Sequence, residues 1–267
     1  GAAGHFFGGL DRDEVVEFFV GQDEKSVLLE VWGQAPNRIS VGLTSPSGGV
    51  MEPVPVYLER LRDYRISLET SRISVRYYTP STSAGDPLVY LRIDNPTAGI
   101  WRLRLQGELT VRREYNIWLP LRSWIRPETR FLRPDPYSTV TAPGTAPLVI
   151  TVGGYNHVTD SLYEESGRGN TRTEIQKPDL VAPAVNIYGP SGDSEYRALS
   201  GTSGAAAITA GGVAQLLQYN LDSGVRLPST SEVKTQLIRG AERRLDQEYP
   251  NREWGYGQLD IYDAIRR

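Results

Sequence analysis

The chain has 267 residues, a formal charge of −3, no cysteine and two histidines, His5 and His157. A mild negative charge without a basic run excludes a broad electrostatic grip on nucleic acid. The lack of cysteine excludes disulfides, thiolate metal sites and a Cys nucleophile. No run reaches the roughly 20 apolar residues of a membrane-spanning helix, so a membrane is not expected as a partner either.

The length fits one or two domains, and the texture changes part-way along. Strand-like runs occur at 27–32, 39–43, 54–58, 64–68, 73–77, 89–93 and 101–105. Their period of two puts apolar members on one face and polar ones in water. Turn chemistry separates them, as in Ser45-Pro46-Ser47-Gly48-Gly49 and Asp94-Asn95-Pro96. This predicts an antiparallel β-sandwich over 10–118, with Trp32, Leu43, Val75 and Leu103 in its core. Arg122, Arg126, Arg130 and Arg133 then dot a Pro-rich stretch that reads as a solvated loop. Leu148–Val152 reads as a strand buried on both faces, as in a parallel sheet. Leu180–Pro183 is a second short apolar run. Residues 203–219 predict a helix rich in small residues, and 230–241 an amphipathic helix. Ser229 and Glu232 have capping-box spacing at the start of the second helix. A last short helix follows Asp260. The fold class expected is therefore mixed, an all-β half followed by an α/β half.

The stretch that carries chemistry is Ser200-Gly201-Thr202-Ser203-Gly204-Ala205-Ala206-Ala207. A serine at a helix start sits among unpaired backbone N–H groups that favour negative charge. An acyl-transfer reaction develops an oxyanion beside its nucleophile, and small neighbours let a substrate carbonyl approach. The same serine would also serve as a plain cap of a buried helix. An α/β-hydrolase elbow fails here, because position 205 is Ala and no His comes after Ser203. Ser231-Glu232-Val233-Lys234 has the S-x-x-K spacing of penicillin-binding enzymes, but their accompanying motifs are absent, so it reads as a chance match.

The motifs resemble those of subtilisin-like serine proteases, the subtilases. Gly201–Ala206 resembles the G-T-S-x-A serine signature. Lys177-Pro178-Asp179-Leu180-Val181-Ala182-Pro183 resembles the K-P-D segment before it, and Val149–Gly154 the V-I-t-V-G strand. Ser166–Gly169 stands where that family has S-S-x-G, and Trp254–Asp260 resembles its closing segment. Two departures are Ala207 for the usual Pro and Ala184 for the usual Gly. Gly1–Phe6 resembles the stretch immediately after the family's oxyanion asparagine, so the chain is expected to begin just past that residue. An inserted β-sandwich at this point is similar to the jelly-roll domain of clostridial Csp-type subtilases.

The resemblance implies residues 1–9 as the end of an oxyanion-loop segment and 10–118 as a jelly-roll-like insert. Residues 119–267 would be the C-terminal half of a subtilisin-like α/β parallel-sheet domain. It implies a serine endopeptidase acting through an acyl-enzyme on Ser203, whose own backbone N–H helps hold the oxyanion. Thr141, Ala142, Pro143 and Gly144 would line one wall of the substrate pocket, or else form an ordinary loop before a strand. No cofactor or metal is implied. His5 reads as structural and His157 as a loop residue, so the Asp, the His and the Asn donor are expected outside the chain. The partners implied are a protein or peptide substrate and the N-terminal half of the same protease. The isolated chain is expected to be inactive and either to self-associate, to exchange strands with another copy or to rearrange its α/β half, because residues 203–217 are apolar around most of a helix. The alternative is a pseudoprotease that only binds and regulates a protein.

Overall fold

Among the described residues, the alternating half of the chain folds as eleven short strands, most of them with one face buried. The structure is a computed structural model that describes residues 2–56, 61–65, 69–78, 85–192 and 195–266. The chain divides into two units, Ala3–Asp135 and Pro136–Arg267, with Gly1–Ala2 assigned to the second.

In the first unit the strands are β1 (His5–Gly9), β2 (Asp13–Val20), β3 (Ser26–Trp32), β4 (Arg38–Thr44), β5 (Val50–Val54) and β6 (Leu61–Arg65). They continue with β7 (Arg72–Tyr78), β8 (Leu88–Asp94), β9 (Gly99–Leu109), β10 (Glu114–Trp118) and β11 (Arg130–Phe131). One sheet has the order β1-β10-β3-β8-β7-β6 and the other β11-β2-β9-β4-β5. Neighbouring strands in both are antiparallel. The two sheets enclose one core in which Phe18, Trp101, Tyr115 and Phe131 are the largest fully buried rings. The Tyr77 hydroxyl of β7 donates to Val54 O of β5 at 2.6 Å and accepts from Val41 N–H of β4, joining sheet to sheet. Burial pushes that phenol well above its ordinary pKa.

Leu43, Val75 and Leu103 lie in this core as expected. Trp32 does not. Along β3 the buried members are Val27, Leu29 and Val31, so Trp32 shares the outer face with Glu30 and donates its Nε1–H to that carboxylate at 3.1 Å. The tryptophan that fills the core is Trp101. The unit is also longer than the expected 10–118. Residues His5–Gly9 pair with β10, and Arg130–Phe131 pair with β2. Residues 3–9 and 119–135 therefore belong to the sandwich and not to the α/β unit. The expected strands at 54–58 and 64–68 are met by β5 and β6 only up to Val54 and Arg65, and residues 57–58 and 66–68 lie outside the described residues.

The second unit contains β12 (Val152–Asn156), β13 (Ser161–Leu162), β14 (Leu180–Pro183), β15 (Ile187–Ser191) and β16 (Glu195–Leu199). Its helices are α1 (Thr202–Asp222), α2 (Thr230–Gly240) and α3 (Ile261–Arg266). β12 runs parallel to β14, in register Gly153↔Val181, and antiparallel to β13. Leu180, Leu216, Val233, Leu237, Ala241 and Ala264 form a core shared by β14 and all three helices. The closing segment borders β14: Val181 N–H donates to Gly257 O at 3.0 Å and Leu259 N–H to Val181 O at 2.8 Å. Gly255, at φ +58°, has no space for a side chain, because a Cβ would lie 2.4 Å from Pro178 O.

The strand expected at 148–152 starts only at Val152. Before it, side chains take two backbone groups, and Thr151 O accepts from Asp179 N–H at 2.8 Å. Lys177 Nζ–H donates to Val149 O at 2.6 Å, and Thr151 N–H donates to an Asp179 carboxylate oxygen at 2.8 Å. Helix α1 is longer than expected, and it is covered along one stripe only. Gly204, Ala205, Thr209, Gly212 and Leu216 are buried, whereas Ala206, Ala207, Ala210, Gly211 and Ala214 are exposed. α2 starts with the reciprocal cap that its sequence predicts.

Candidate active site

The serine is positioned by the path from β14 into α1. Ala184 N–H donates to Tyr155 O at 2.8 Å, extending the parallel pairing by one bond. The chain then leaves through the β15–β16 hairpin and returns, and Gly201 N–H donates to Ala184 O at 2.7 Å. Gly201 has φ +151° and ψ 154°, a region held essentially by glycine alone. The helix begins at the next residue, and its N-cap makes no side-chain bond. Ser203, its second residue, is exposed.

Small residues are required around this turn for measurable reasons. A Cβ on Gly204 would lie 2.9 Å from Leu199 Cδ1 and 3.0 Å from Ile187 Cδ1, so the inner face of the hairpin packs directly on the helix start. A Cβ on Gly154 would lie 2.5 Å from the Ala184 Cβ and 3.4 Å from Thr202 Cγ2, so β12 passes close beneath the serine turn. Ala184 is fully buried there, and Ala207 continues the helix without interruption.

Thr141, Ala142 and Pro143 form an exposed turn, and Gly144 is half-buried. Pro143 O accepts from Ala146 N–H at 3.0 Å, and Gly144 O accepts from the Thr151 hydroxyl at 2.6 Å. Thr139 N–H donates to Arg168 O at 2.9 Å, and Ser166 Oγ accepts from Gly154 N–H at 3.0 Å.

Behind the turn lies a charge cluster that the sequence did not announce. Asp179 is buried and pairs with two lysines, Lys177 at 2.9 Å and Lys234 at 2.6 Å. Burial holds the Lys177 ammonium below its ordinary pKa, although its bond to Asp179 favours the charged form. The S-x-x-K spacing of Ser231 and Lys234 therefore has another meaning: Lys234 reaches to Asp179 and Pro147 O.

Neither histidine lies near Ser203 in sequence. His157 is exposed in the turn after β12. His5 is buried in the sandwich, where its Nε2–H donates to Asn116 Oδ1 at 2.9 Å and its ring stacks on Trp118.

The chain is similar to several known proteins. Residues 133–257 match the pattern of the Subtilase family. Over this segment the chain is similar to the subtilases. The structure of the Clostridium perfringens CspB protease is similar over 100% of this chain and 57% of that one, with a TM-score of 0.89 at 29% identity. Among sequence relatives, the serine protease AprX of Bacillus subtilis is 34% identical over 147 residues, 48% of this chain and 32% of the relative. The membrane-bound transcription factor site-1 protease of Mus musculus is 33% identical over 136 residues, 49% of this chain and 12% of the relative. The chain thus spans less than two thirds of each relative. The subtilase match takes in the Thr141–Gly144 turn, the Lys177–Asp179 pair, Ser203 and Trp254–Gly257.

Proposed function

We propose that the chain carries the nucleophile of a subtilisin-type serine endopeptidase. The observation that carries this reading is the placement of Ser203, exposed in the first turn of a 21-residue helix that has no side-chain cap and comes directly after a glycine-only backbone turn. Ser203 Oγ attacks the scissile carbonyl, and the backbone N–H of the same residue helps to hold the oxyanion. The developing charge there meets the positive end of the α1 dipole. The C–N bond breaks, the amine leaves with the proton taken from Ser203 by the base, and water hydrolyses the acyl-enzyme to the free acid and Ser203. Thr141, Ala142, Pro143 and Gly144 form part of the substrate wall.

The His base and its Asp orienter are assigned to parts of the protease outside residues 1–267, since His5 is buried against Asn116 and Trp118 and His157 follows β12 in an exposed turn. The exposed Ala206–Ala210–Ala214 face of α1 supports docking of an N-terminal half of the same protease, because small side chains permit close backbone approach. Residues 3–135 then form a jelly-roll-like insert, and Pro136–Arg267 form the C-terminal half of the catalytic domain. The CspB likeness, which extends over all of this chain, supports that arrangement.

The test is hydrolysis of a peptide library and labelling by a fluorophosphonate in the full-length protease. Ser203→Ala should abolish both and leave the melting temperature nearly unchanged, because the side chain is exposed. Turnover that survives in Ser203→Ala would remove the assignment. A regulatory role without catalysis would show as an unlabelled Ser203 in a correctly folded protein.

A further inference from the structure

Asp179 is already neutralised by Lys177, which touches the same carboxylate. A second lysine adds a positive charge to a buried cluster, which costs free energy unless it makes further bonds. Lys234 makes one, donating from Nζ to Pro147 O at 3.0 Å while pairing with Asp179 at 2.6 Å. It reaches this point from α2, a separate element. Lys177 donates to Val149 O, and Asp179 accepts from Thr151 N–H. Three backbone groups between Pro147 and Thr151 are thus held by three charged side chains. The Thr151 hydroxyl passes the constraint to Gly144 O at 2.6 Å.

We propose that Lys234 is a positioning residue for substrate selectivity: through Pro147, Asp179 and Thr151 it fixes the Gly144 carbonyl and with it the 141–144 wall. This rests on the reading of that turn as substrate-contacting. Lys234 itself does not touch substrate. A wall tied through Gly144 to a segment that charged side chains hold at three points keeps its shape when a side chain binds, and displacement of such a wall alters selectivity.

The test uses the full-length protease with Lys234→Met, Lys234→Arg and Thr151→Val. Three quantities are measured: the ratio of kcat/KM for two peptides that differ only in the residue before the scissile bond, the rate of fluorophosphonate labelling, and amide hydrogen exchange over 144–151. Lys234→Met should change the peptide ratio by about tenfold, with labelling within about twofold of the parent. Exchange over 144–151 should accelerate, and Lys234→Arg should restore the ratio. Thr151→Val should shift the ratio in the same direction without disturbing the lysines. An unchanged ratio in both Lys234→Met and Thr151→Val would overturn the proposal, as would a parallel fall in hydrolysis and labelling with the ratio intact. If the parent protease cleaves no peptide, the peptidase reading fails instead. Hydrogen exchange then decides the positioning role alone, and unchanged exchange in Lys234→Met overturns it.

Discussion

Asp135 N–H donates to His5 O at 2.8 Å, and its carboxylate lies 3.9 Å from Nδ1 of the same histidine. These two residues stand near the first and last positions of the sandwich unit, so the bond closes the unit where the chain enters and leaves. Buried beside Asn116 and stacked on Trp118, His5 serves this closure. That is why the unit begins at Ala3 and not at residue 10.

Residues 3–135 expressed alone should therefore melt in one cooperative transition with a β-type far-ultraviolet spectrum, and residues 10–118 should not. Trp101→Ala should lower the stability of the unit by about 3–5 kcal/mol, since it removes a fully buried ring from the middle of the core. Denaturant melts of the three proteins check this. Equal stability of 10–118 and 3–135 would contradict the role given to β1 and β11.

The serine turn depends on Gly201. An Ala there would have to adopt φ near +151°, at a strain of about 1–3 kcal/mol. Gly201→Ala in the full-length protease should cost most of the hydrolysis, because relief of that strain would move Ser203. Loss of fluorophosphonate labelling with an intact fold by circular dichroism is the expected result. Labelling at the parent rate would show that the turn tolerates a side chain.

The start of α2 should respond to acid. The bond from Arg226 holds the Glu232 carboxyl down at about 2, and the Ser229 backbone and side chain add to this. A carboxyl whose folded pKa is depressed lends stability above its unfolded value near 4.5 and loses it as pH falls toward 2. Glu232→Gln should therefore reduce stability at pH 7 and flatten its decline between pH 4.5 and 2, as measured by thermal melts across that range. An equally steep decline in Glu232→Gln would assign the acid response to other groups.

The exposed stripe of α1 should make the isolated chain associate. Ala206, Ala210 and Ala214 lie on one side of the helix, with Tyr219 and Leu221 exposed near its end. Sedimentation at micromolar concentration should show dimers or larger species, and Ala210→Glu should shift them toward monomer without lowering the melting temperature. A monomeric parent chain would remove the stripe as an association surface.

Much of the fold was legible because burial obeys a simple period. In β7 and β9 the alternation of residues is also the alternation of burial. The capping box of Ser229 and Glu232 and the helix after Gly201 were readable for the same reason, since their determinants lie within a few residues. What was not legible rests on long-range pairing. No local feature marks His5–Gly9 as the partner of Glu114–Trp118, or Phe131 as a neighbour of Phe18. Leu148–Thr151 has strand composition, yet Lys177 and Asp179 from distant positions take two of its backbone groups, Val149 O and Thr151 N–H. The β15–β16 hairpin was missed because its strands are exposed or half-exposed and keep no burial period. Lys234 was visible only as half of a chance motif, because its partner Asp179 lies far away in sequence.

The bonds of Gly154 also bear on how the second unit avoids unwanted company. Its N–H is taken by Ser166 Oγ, and its carbonyl accepts from Tyr163 N–H at 2.9 Å. A strand that exposes both groups is a template for any other extended chain, and such edges are where aggregation starts. The Tyr163–Ser166 segment occupies this part of β12 like a stopper, using one hydroxyl and one amide in place of a whole strand. The glycine that lets Ala184 and Thr202 come close is thereby kept from recruiting a foreign chain next to the serine turn.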